Sequence, residues 1–454
     1  GSVSGNLFDG WGAGPVGVAA GWDYRHESGE VAPLGAQPAG GYSFAFGLNY
    51  AGKIEVLEGF LETNVPVFRD SAIGKFFELN GAVRYTKNKS TDTLLDQSRS
   101  LDAVSWKVGG IYDVIDGVRL RATQSRDMRA AGFRELFQKT TPTEEGTAQG
   151  RVNNYFIAGT NKADDTPIYS GGNFTLAPEK ADTTTAGIVV NPFRGFQMSL
   201  DWYQIKLRDA IANLSGQRVA DLCTPEIDVL CHRITFSGSD RTNIVRVDAG
   251  AANVGRIEIR GFDFEASYRL PLADVFENSP GTLDFRFLLN HQYNFIVQQS
   301  ADVPAIKYSG QSGPIVEGGD FYPTPKWMWN GVIGYSTDRF NATMTVRHVG
   351  KGILSVDRIG PEDPGYDPTV RNSITTNRVD SATYFNVAMS YKIPFSGDES
   401  DYVEVFGAIE NLFDKKPPIA PGGGVSVGAT AYPTNPVFFD TFGMRWKGGV
   451  RVRF

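Results

Sequence analysis

Only two cysteines occur in the 454-residue chain, Cys223 and Cys231, with seven residues between them. Thiols at that spacing support one of two chemistries. They can oxidise to a disulfide that clips a loop, or they can join a neighbouring ligand, here His232, in holding a metal. Two Cys and one His fall short of the four ligands of a closed zinc site. A close pair with no other thiol suits an oxidising compartment, so a disulfide is the expectation and neither a metal nor a cofactor is. The other histidines, His26, His291 and His348, are isolated along the chain. No Gly-x-Ser-x-Gly elbow, P-loop or His-Glu-x-x-His stretch is present, so the residues offer no catalytic constellation. Pro421-Gly422-Gly423-Gly424-Val425 is followed by neither a lysine nor a helix start and reads as loop, not as a phosphate cradle.

A second group of residues has the chemistry of recognition. Asn154, Tyr155, Phe156 and Tyr169 lie in a long polar segment, residues 127–181. Aromatic faces beside amides suit stacking on a sugar or an aromatic chelate, although most loop aromatics pack the loop itself. Asp320-Phe321-Tyr322 has the same character. A third group is charged and periodic: Arg119, Arg121, Asp263, Glu265, Arg286, Arg347, Arg451 and Arg453 each occupy the polar phase of an alternating stretch.

Strands must position these residues. From Met444 to the end, Met444, Trp446, Gly448, Val450, Val452 and Phe454 alternate with Arg445, Lys447, Gly449, Arg451 and Arg453. A period of two is a strand, and one apolar face with one charged face is a strand between lipid and water. Stretches of the same kind recur at 16–25, 54–66, 79–86, 104–114, 118–126, 182–191, 196–205, 262–270, 283–293, 327–336, 340–349, 384–393 and 402–410. That makes fourteen, each near the ~9–11 residues a tilted strand needs to cross a bilayer. Short connections (115–117, 192–195, 337–339, 394–401) alternate with long ones (27–53, 127–181, 207–261, 294–326, 350–383, 411–443). Short periplasmic turns and long extracellular loops have this pattern in bacterial barrels. The net charge is −7 and the pI about 5.3, so nothing invites nucleic acid. No apolar run approaches the ~20 residues of a membrane helix. The expected fold is all-β, a transmembrane antiparallel up-and-down β-barrel in a bacterial outer membrane. Its surroundings would be outer-membrane lipid and lipopolysaccharide, its loops extracellular and its C-terminus periplasmic. The first residues lack a basic and an apolar leader region, so either a signal peptide has been removed or the chain begins inside a longer protein.

Four stretches resemble TonB-dependent outer-membrane receptors. Phe133-Arg134-Glu135-Leu136-Phe137 is similar to their Phe-Arg-Glu-Leu-Phe signature. Leu176-Ala177-Pro178-Glu179-Lys180 resembles their Leu-x-Pro-Glu-Lys stretch, and Asn411-Leu412-Phe413-Asp414 their near-terminal Asn-Leu-Phe-Asp. Arg260-Gly261-Phe262-Asp263-Phe264-Glu265 resembles a strand start of the family. Order and spacing agree along the whole chain. The resemblance implies a twenty-two-stranded barrel around an N-terminal plug, of which these fourteen strands would be numbers nine to twenty-two and residues 2–9 the tail of the eighth. Residues 1–454 would then be the C-terminal barrel portion, with no plug in this chain. Trp446, Val450, Val452 and Phe454 would be the signal read by the barrel-assembly machinery. TonB would act through the plug, the inward charges would either pair with one another across neighbouring strands of a solvated lumen or contact plug or passing substrate, and a small-molecule nutrient (siderophore-iron, oligosaccharide or vitamin) would be imported. The expectation is a transport receptor and not an enzyme. A passive porin-like channel, in which the fourteen strands close on themselves, is the alternative.

Overall fold

The computed structural model describes residues 1–32, 49–138, 141–142, 151–157, 163–298, 303–313, 324–370, 372–395, 401–420 and 433–454. Asp320-Phe321-Tyr322 and the glycine run at 422–424 lie outside them. The chain builds one antiparallel sheet of sixteen strands. Fifteen of these run in sequence order: β1 (Ser2–Gly10), β2 (Gly14–Val31), β3 (Tyr50–Ser71), β4 (Gly74–Asp92), β5 (Gln97–Ile115), β6 (Val118–Arg129), β7 (Glu179–Val190), β8 (Phe196–Leu214), β9 (Gly250–Pro271), β10 (Thr282–Gln298), β11 (Trp327–Ser336), β12 (Phe340–Val349), β13 (Ala382–Pro394), β14 (Tyr402–Glu410) and β15 (Arg445–Arg453). The short strand Ile306–Lys307 adds to β10. Every ladder between neighbours is antiparallel, the arrangement of an up-and-down wall.

Residues 2–9, expected as the tail of a preceding strand, lie in β1, which ladders with β2 and shifts register between Asn6 and Phe8. Several strands outrun the expected spans. β3 and β4 reach 22 and 19 residues; past Thr86 the β4 ladder continues through Lys87–Asp92, where the side chains are polar on both faces. The β4–β5 connection therefore shrinks to residues 93–96, closed by Asp92, whose Oδ1 accepts the N–H groups of Leu94 (2.9 Å) and Leu95 (3.0 Å). β1 and β15 each pair on one side only; among the described residues no ladder joins them.

Register sorts the side chains into two faces. Trp202 stands beside Phe262, Phe262 beside His291, and His291 beside Trp327. Toward the short-turn end the same face carries Leu200, Phe264, Leu289 and Trp329, then Met198, Ala266 and Phe287. These side chains project away from the polar wall; Leu200, Phe262 and Trp327 are exposed and the others half-buried against their neighbours, while on β15 Trp446 of the same apolar face is 80% exposed. Rings gather into two belts. Near the long-loop end, Trp202 Nε1 donates to Tyr293 Oη (3.0 Å), and the Trp327 and Trp329 rings stack on His291 and His348. Near the short-turn end, Phe68, Phe77 and Tyr112 cluster, as do Phe193, Phe196 and Tyr268. Along β9 the belts are six residues apart, about 20 Å of strand. An outward apolar band between two aromatic girdles is what lipid requires. Among the described residues no helix is long and apolar enough to cross a membrane.

The buried apolar core lies elsewhere. It fills the layer of connections at the long-loop end, where Val152, Val219, Val247, Cys223 and Ile168 pack on the upper parts of β8, β9 and β10. A small four-stranded sheet holds this layer together, built from residues 141–142, Ile168–Ser170, Ile234–Phe236 and Ile244–Asp248.

Candidate functional site

The opposite face of the sheet is polar, and its charges are paired across strands. Arg119 meets Asp113 (Nε–Oδ1 2.6 Å), Arg84 meets Glu58 (2.8 Å), Arg286 meets Glu265 (2.9 Å) and Arg451 meets Glu404 (2.7 Å). Arg121 reaches Asp201 over an intervening strand. Asn290 Nδ2 donates to Asp263 Oδ1 (2.8 Å) and to Tyr203 Oη (3.1 Å). All these residues fall in the polar phase of their strands, as alternation predicts. In water-filled surroundings such pairs contribute roughly 0–1 kcal/mol each; together they leave a wall of fixed, largely balanced charge.

Where this wall meets the loop layer there is a cavity of about 330 Å³ lined by Arg347, Tyr384, Asn386, Glu410, Asn411, Phe439, Asp440 and Arg445. The Asn411–Asp414 stretch builds it. Asn411 is buried in a left-handed conformation (φ 50°), which Asn tolerates better than most residues. Its Nδ2 donates to Asp440 Oδ2 (2.8 Å) and Lys415 O (3.1 Å), its Oδ1 accepts Lys415 N (2.8 Å), and its own N–H donates to Asn386 Oδ1 (2.8 Å). Leu412 N donates to Phe385 O (2.8 Å), and exposed Phe413 lies edge-on to Phe385 in the upper ring belt. Asp414 Oδ1 accepts Met444 N (3.1 Å), fixing the entry to β15. Lys416 and that N–H hold the Asp414 carboxyl below the usual carboxylate range. Arg445 then spans Glu410 (2.7 Å) and Asp440 (3.3 Å), while Lys447 Nζ adds to Glu410 (2.7 Å) and Tyr384 Oη accepts Asp440 N (3.2 Å). The outcome is a polar recess with two cations and two carboxylates at its rim. Spacing marks Asp440 only as the end of an aromatic-rich connection; its meeting with Asn411, Arg445 and Tyr384 depends on the pairing of β13, β14 and β15, for which the inward phase of Arg445 is the available signal.

Phe133–Phe137 forms a one-turn helix, α1. Phe137 is 1% exposed and sits on Gly52; Phe133 sits on Gly29. Gly29 and Gly52 face each other across β2 and β3, so the ladder presents bare backbone as a seat for the two rings. Leu136 is buried with them, and Arg134 Nε donates to Gln138 Oε1 (2.8 Å). Glu135 caps α1 by accepting Gly132 N (2.6 Å) and pairs with Arg129 (2.8 Å). Burial pushes the Glu135 carboxyl up, but Arg129 and the Gly132 N–H outweigh it and hold it below its ordinary value. Arg129 also pairs with Glu179, which accepts Ile211 N (2.6 Å). Glu135 and Glu179, 44 positions apart, are thus joined through one guanidinium. Pro178 is buried beside Glu179, and Lys180 is exposed on the outward face.

The four loop residues have local partners. Asn154 is buried; its Nδ2 donates to Arg241 O (3.3 Å) and its Oδ1 accepts Phe156 N (3.0 Å). Phe156 packs edge-on to Phe236 beneath the Arg241 guanidinium. Arg246 lies 3.9 Å over the Tyr169 ring. Tyr155 is 37% exposed and its Oη donates to Asp221 Oδ1 (2.6 Å). Tyr155 alone of the four presents a substantial surface outward. Cys223 and Cys231 are joined in a disulfide within the loop core, and Asp228 stands beside them. Trp446, Val450 and Val452 lie exposed on the apolar face of β15, and Phe454, directly after its last residue, is exposed as well.

The comparisons with known proteins agree with this architecture. The domain described as TonB dependent receptor-like, beta-barrel, matches residues 2–412. Among curated proteins no match is found. The FrpB iron transporter of Neisseria meningitidis (F5-1 variant) has the same fold at a TM-score of 0.55 and 14% identity, over 100% of this chain and 55% of its own. Its F3-3 variant matches at 0.53 and 14%, over 99% and 53%. The copper transporter OprC matches at 0.53 and 14%, over 97% and 54%. The chain spans about half the length of these solved structures. With its β-barrel domain matched from β1 to the Asn411 turn, the chain belongs to the TonB-dependent receptor β-barrel family.

Proposed function

We propose that this chain forms the wall and outer loop layer of a receptor that imports a scarce nutrient across a bacterial outer membrane, energised through TonB. One observation carries this: the sheet is apolar outward, charged inward and capped at its long-loop end by a folded, disulfide-clipped layer. A passive pore has no need of a packed cap over its mouth. On this reading the long loops are extracellular and the C-terminus periplasmic. Lipid and lipopolysaccharide surround the apolar band, and the assembly machinery reads β15.

Open edges of a sheet are costly in hydrocarbon, where each unmet backbone group costs several kcal/mol. We therefore assign β1 and β15 to pairing with further strands, so that residues 1–454 supply the C-terminal barrel portion of a larger wall. The plug through which TonB acts lies outside these residues.

The recess around Arg347, Glu410, Asp440 and Arg445 suits a polar, charge-bearing ligand. Among siderophore-iron, oligosaccharide and vitamin, the metal transporters sharing this fold favour a metal chelate. The test has two arms. Cellular uptake of iron-siderophore should stop when the inner-membrane proton gradient is collapsed. The purified receptor in a planar bilayer should be nearly silent. Gradient-independent uptake with steady open conductance would overturn the proposal in favour of a porin-like channel.

A further inference from the structure

Arg84, Arg119, Arg121, Arg286 and Arg451 of the inward wall each meet a carboxylate. Arg347 does not. It stands on β12 between Asn330 and Tyr384, half-buried, and among the described residues it has neither an ion-pair nor a hydrogen-bond partner. Charged side chains withdrawn from water are ordinarily paired. Its guanidinium lines the recess of about 330 Å³ beneath the loop layer.

The other groups of that recess define what could pair with it. Both carboxylates are engaged at both oxygens. Glu410 accepts Lys447 at Oε1 (2.7 Å) and Arg445 at Oε2 (2.9 Å). Asp440 accepts Phe442 N (3.1 Å) and Arg445 (3.3 Å) at Oδ1 and Asn411 (2.8 Å) at Oδ2. Arg445 is held between them, 4.8 Å over the Phe442 ring. What remains is a set of donors. Tyr384 Oη only accepts, from Asp440 N, so its O–H is unused. Asn386 uses its Oδ1, on Asn411 N, and leaves Nδ2 unused. Arg347 adds its whole planar fork. Three cations, Arg347, Arg445 and Lys447, stand against two carboxylates, which leaves one positive charge unmet. Pro436 and Phe439 give the recess an apolar flank.

Unused donors, one unmet positive charge and an apolar flank suit a singly charged, acceptor-rich group on a carbon skeleton. The guanidinium fork matches a carboxylate with two parallel hydrogen bonds. A phosphate dianion would bring one negative charge too many. The volume lies at the small end of ligand pockets, enough for a head group and not for a whole metal chelate. We propose that Arg347 anchors a carboxylate of the imported ligand, with Tyr384 and Asn386 donating to the same group and Pro436 and Phe439 covering the carbons beside it. The ligand is then a carboxylic acid, which narrows the metal chelates to carboxylate-bearing ones and sets neutral oligosaccharides aside. This assignment rests on the import reading proposed above.

The test uses the whole receptor in detergent, with para-fluorobenzoate and para-fluorobenzamide as probes of equal shape and different charge, followed by fluorine NMR. Wild type should bind the benzoate about tenfold more tightly than the amide. Arg347→Gln should erase that preference, and Arg347→Lys, which keeps the charge without the fork, should retain part of it. Arg194→Gln, an exposed arginine of the β7–β8 turn, should leave it unchanged. Inorganic phosphate should displace the benzoate less well than unlabelled benzoate does. Equal binding of the two probes by wild type, a preference that survives Arg347→Gln, equal loss in Arg194→Gln, or phosphate as the better competitor would each overturn the inference. The wild-type comparison needs no variant, so the test holds even where Arg347→Gln fails to assemble. Uptake separates the two levels. Gradient-dependent iron-siderophore uptake with no benzoate preference removes this inference alone. Gradient-independent uptake removes the import reading and the ligand assignment with it, whatever the probes show.

Discussion

Arg121 and Asp201 stand on β6 and β8, strands that do not touch, and meet bidentately over Gly187 of β7 (Nε–Oδ1 2.8 Å, Nη2–Oδ2 2.6 Å). A Cβ at position 187 would collide with Asp201 Oδ1. The missing side chain is what lets the pair close. Gly187→Ala should turn the carboxylate aside and break the pair while the fold survives. Both partners are water-accessible, so the pair is worth about 0.2–1 kcal/mol. In a double-mutant cycle of Arg121→Gln and Asp201→Asn, the coupling should be measurable in the wild-type background and vanish in the Gly187→Ala background, read from urea unfolding midpoints.

The Gly29–Gly52 seat should be more demanding. A Cβ on Gly52 would lie 2.6 Å from the Phe137 ring, and one on Gly29 3.1 Å from Phe133. Gly52→Val should destabilise the loop layer by about 1–3 kcal/mol, and Phe137→Ala by about 3–5 kcal/mol. Gly29→Ala should have the mildest effect. Protease nicking between α1 and β7 would rank the three; equal resistance in all would show that the helix does not depend on its seat.

Acid should loosen the same region. The folded state holds the Glu135 carboxyl below its ordinary value of 4.5. A depressed carboxyl stabilises the fold fully above the ordinary value, and the contribution fades as pH falls through the folded value. Nicking near α1 should thus rise below about pH 4.5. In Glu135→Gln, which keeps the shape without the charge, nicking should be higher at neutral pH and nearly flat across that window.

Reduction should act on the loop core without opening the wall. Closing the short Cys223–Cys231 loop contributes about 2–3 kcal/mol on the chain-entropy account. Cys223→Ser with Cys231→Ser, or thiol treatment, should increase hydrogen exchange in residues 216–236 and leave that of β11–β14 unchanged.

At the other end of the wall, deletion of Phe454 should lower the amount of assembled protein in the outer membrane several-fold. Phe454 is 96% exposed and contributes little to packing, so its loss should act on assembly. Heat-modified gel mobility of whatever does assemble should stay like wild type.

Much of this protein could be read from one dimension because its sheet has two solvents. A strand between an apolar and an aqueous phase must alternate strictly, so Met444–Phe454, residues 262–270 and residues 340–349 announce both their structure and their faces. Register confirms those faces residue by residue. Alternation also told Arg119, Arg121, Glu265, Arg286 and Arg451 to face inward, where each found a carboxylate or guanidinium. It faded where β4 rises past the apolar band, which is why that strand runs on through Lys87–Asp92 beyond its expected end.

The loop layer was legible only as polar, aromatic-rich connections. Its residues are fixed by contacts distant in sequence, with no period to betray them. Asn154 and Phe156 depend on Arg241, and Tyr169 on Arg246. Glu135 and Glu179 have a joint meaning only through Arg129.

Sequence by itself, then, determined the two faces, the strand order and the family motifs, because each is written in local spacing. Tertiary structure alone decided which motif residues meet, that Gly187 and Gly52 are gaps shaped for neighbours, and that Arg347, among the described residues, meets no carboxylate in its recess. Those relations arise from cross-strand register, which sets side chains about 5 Å apart however far apart they lie along the chain.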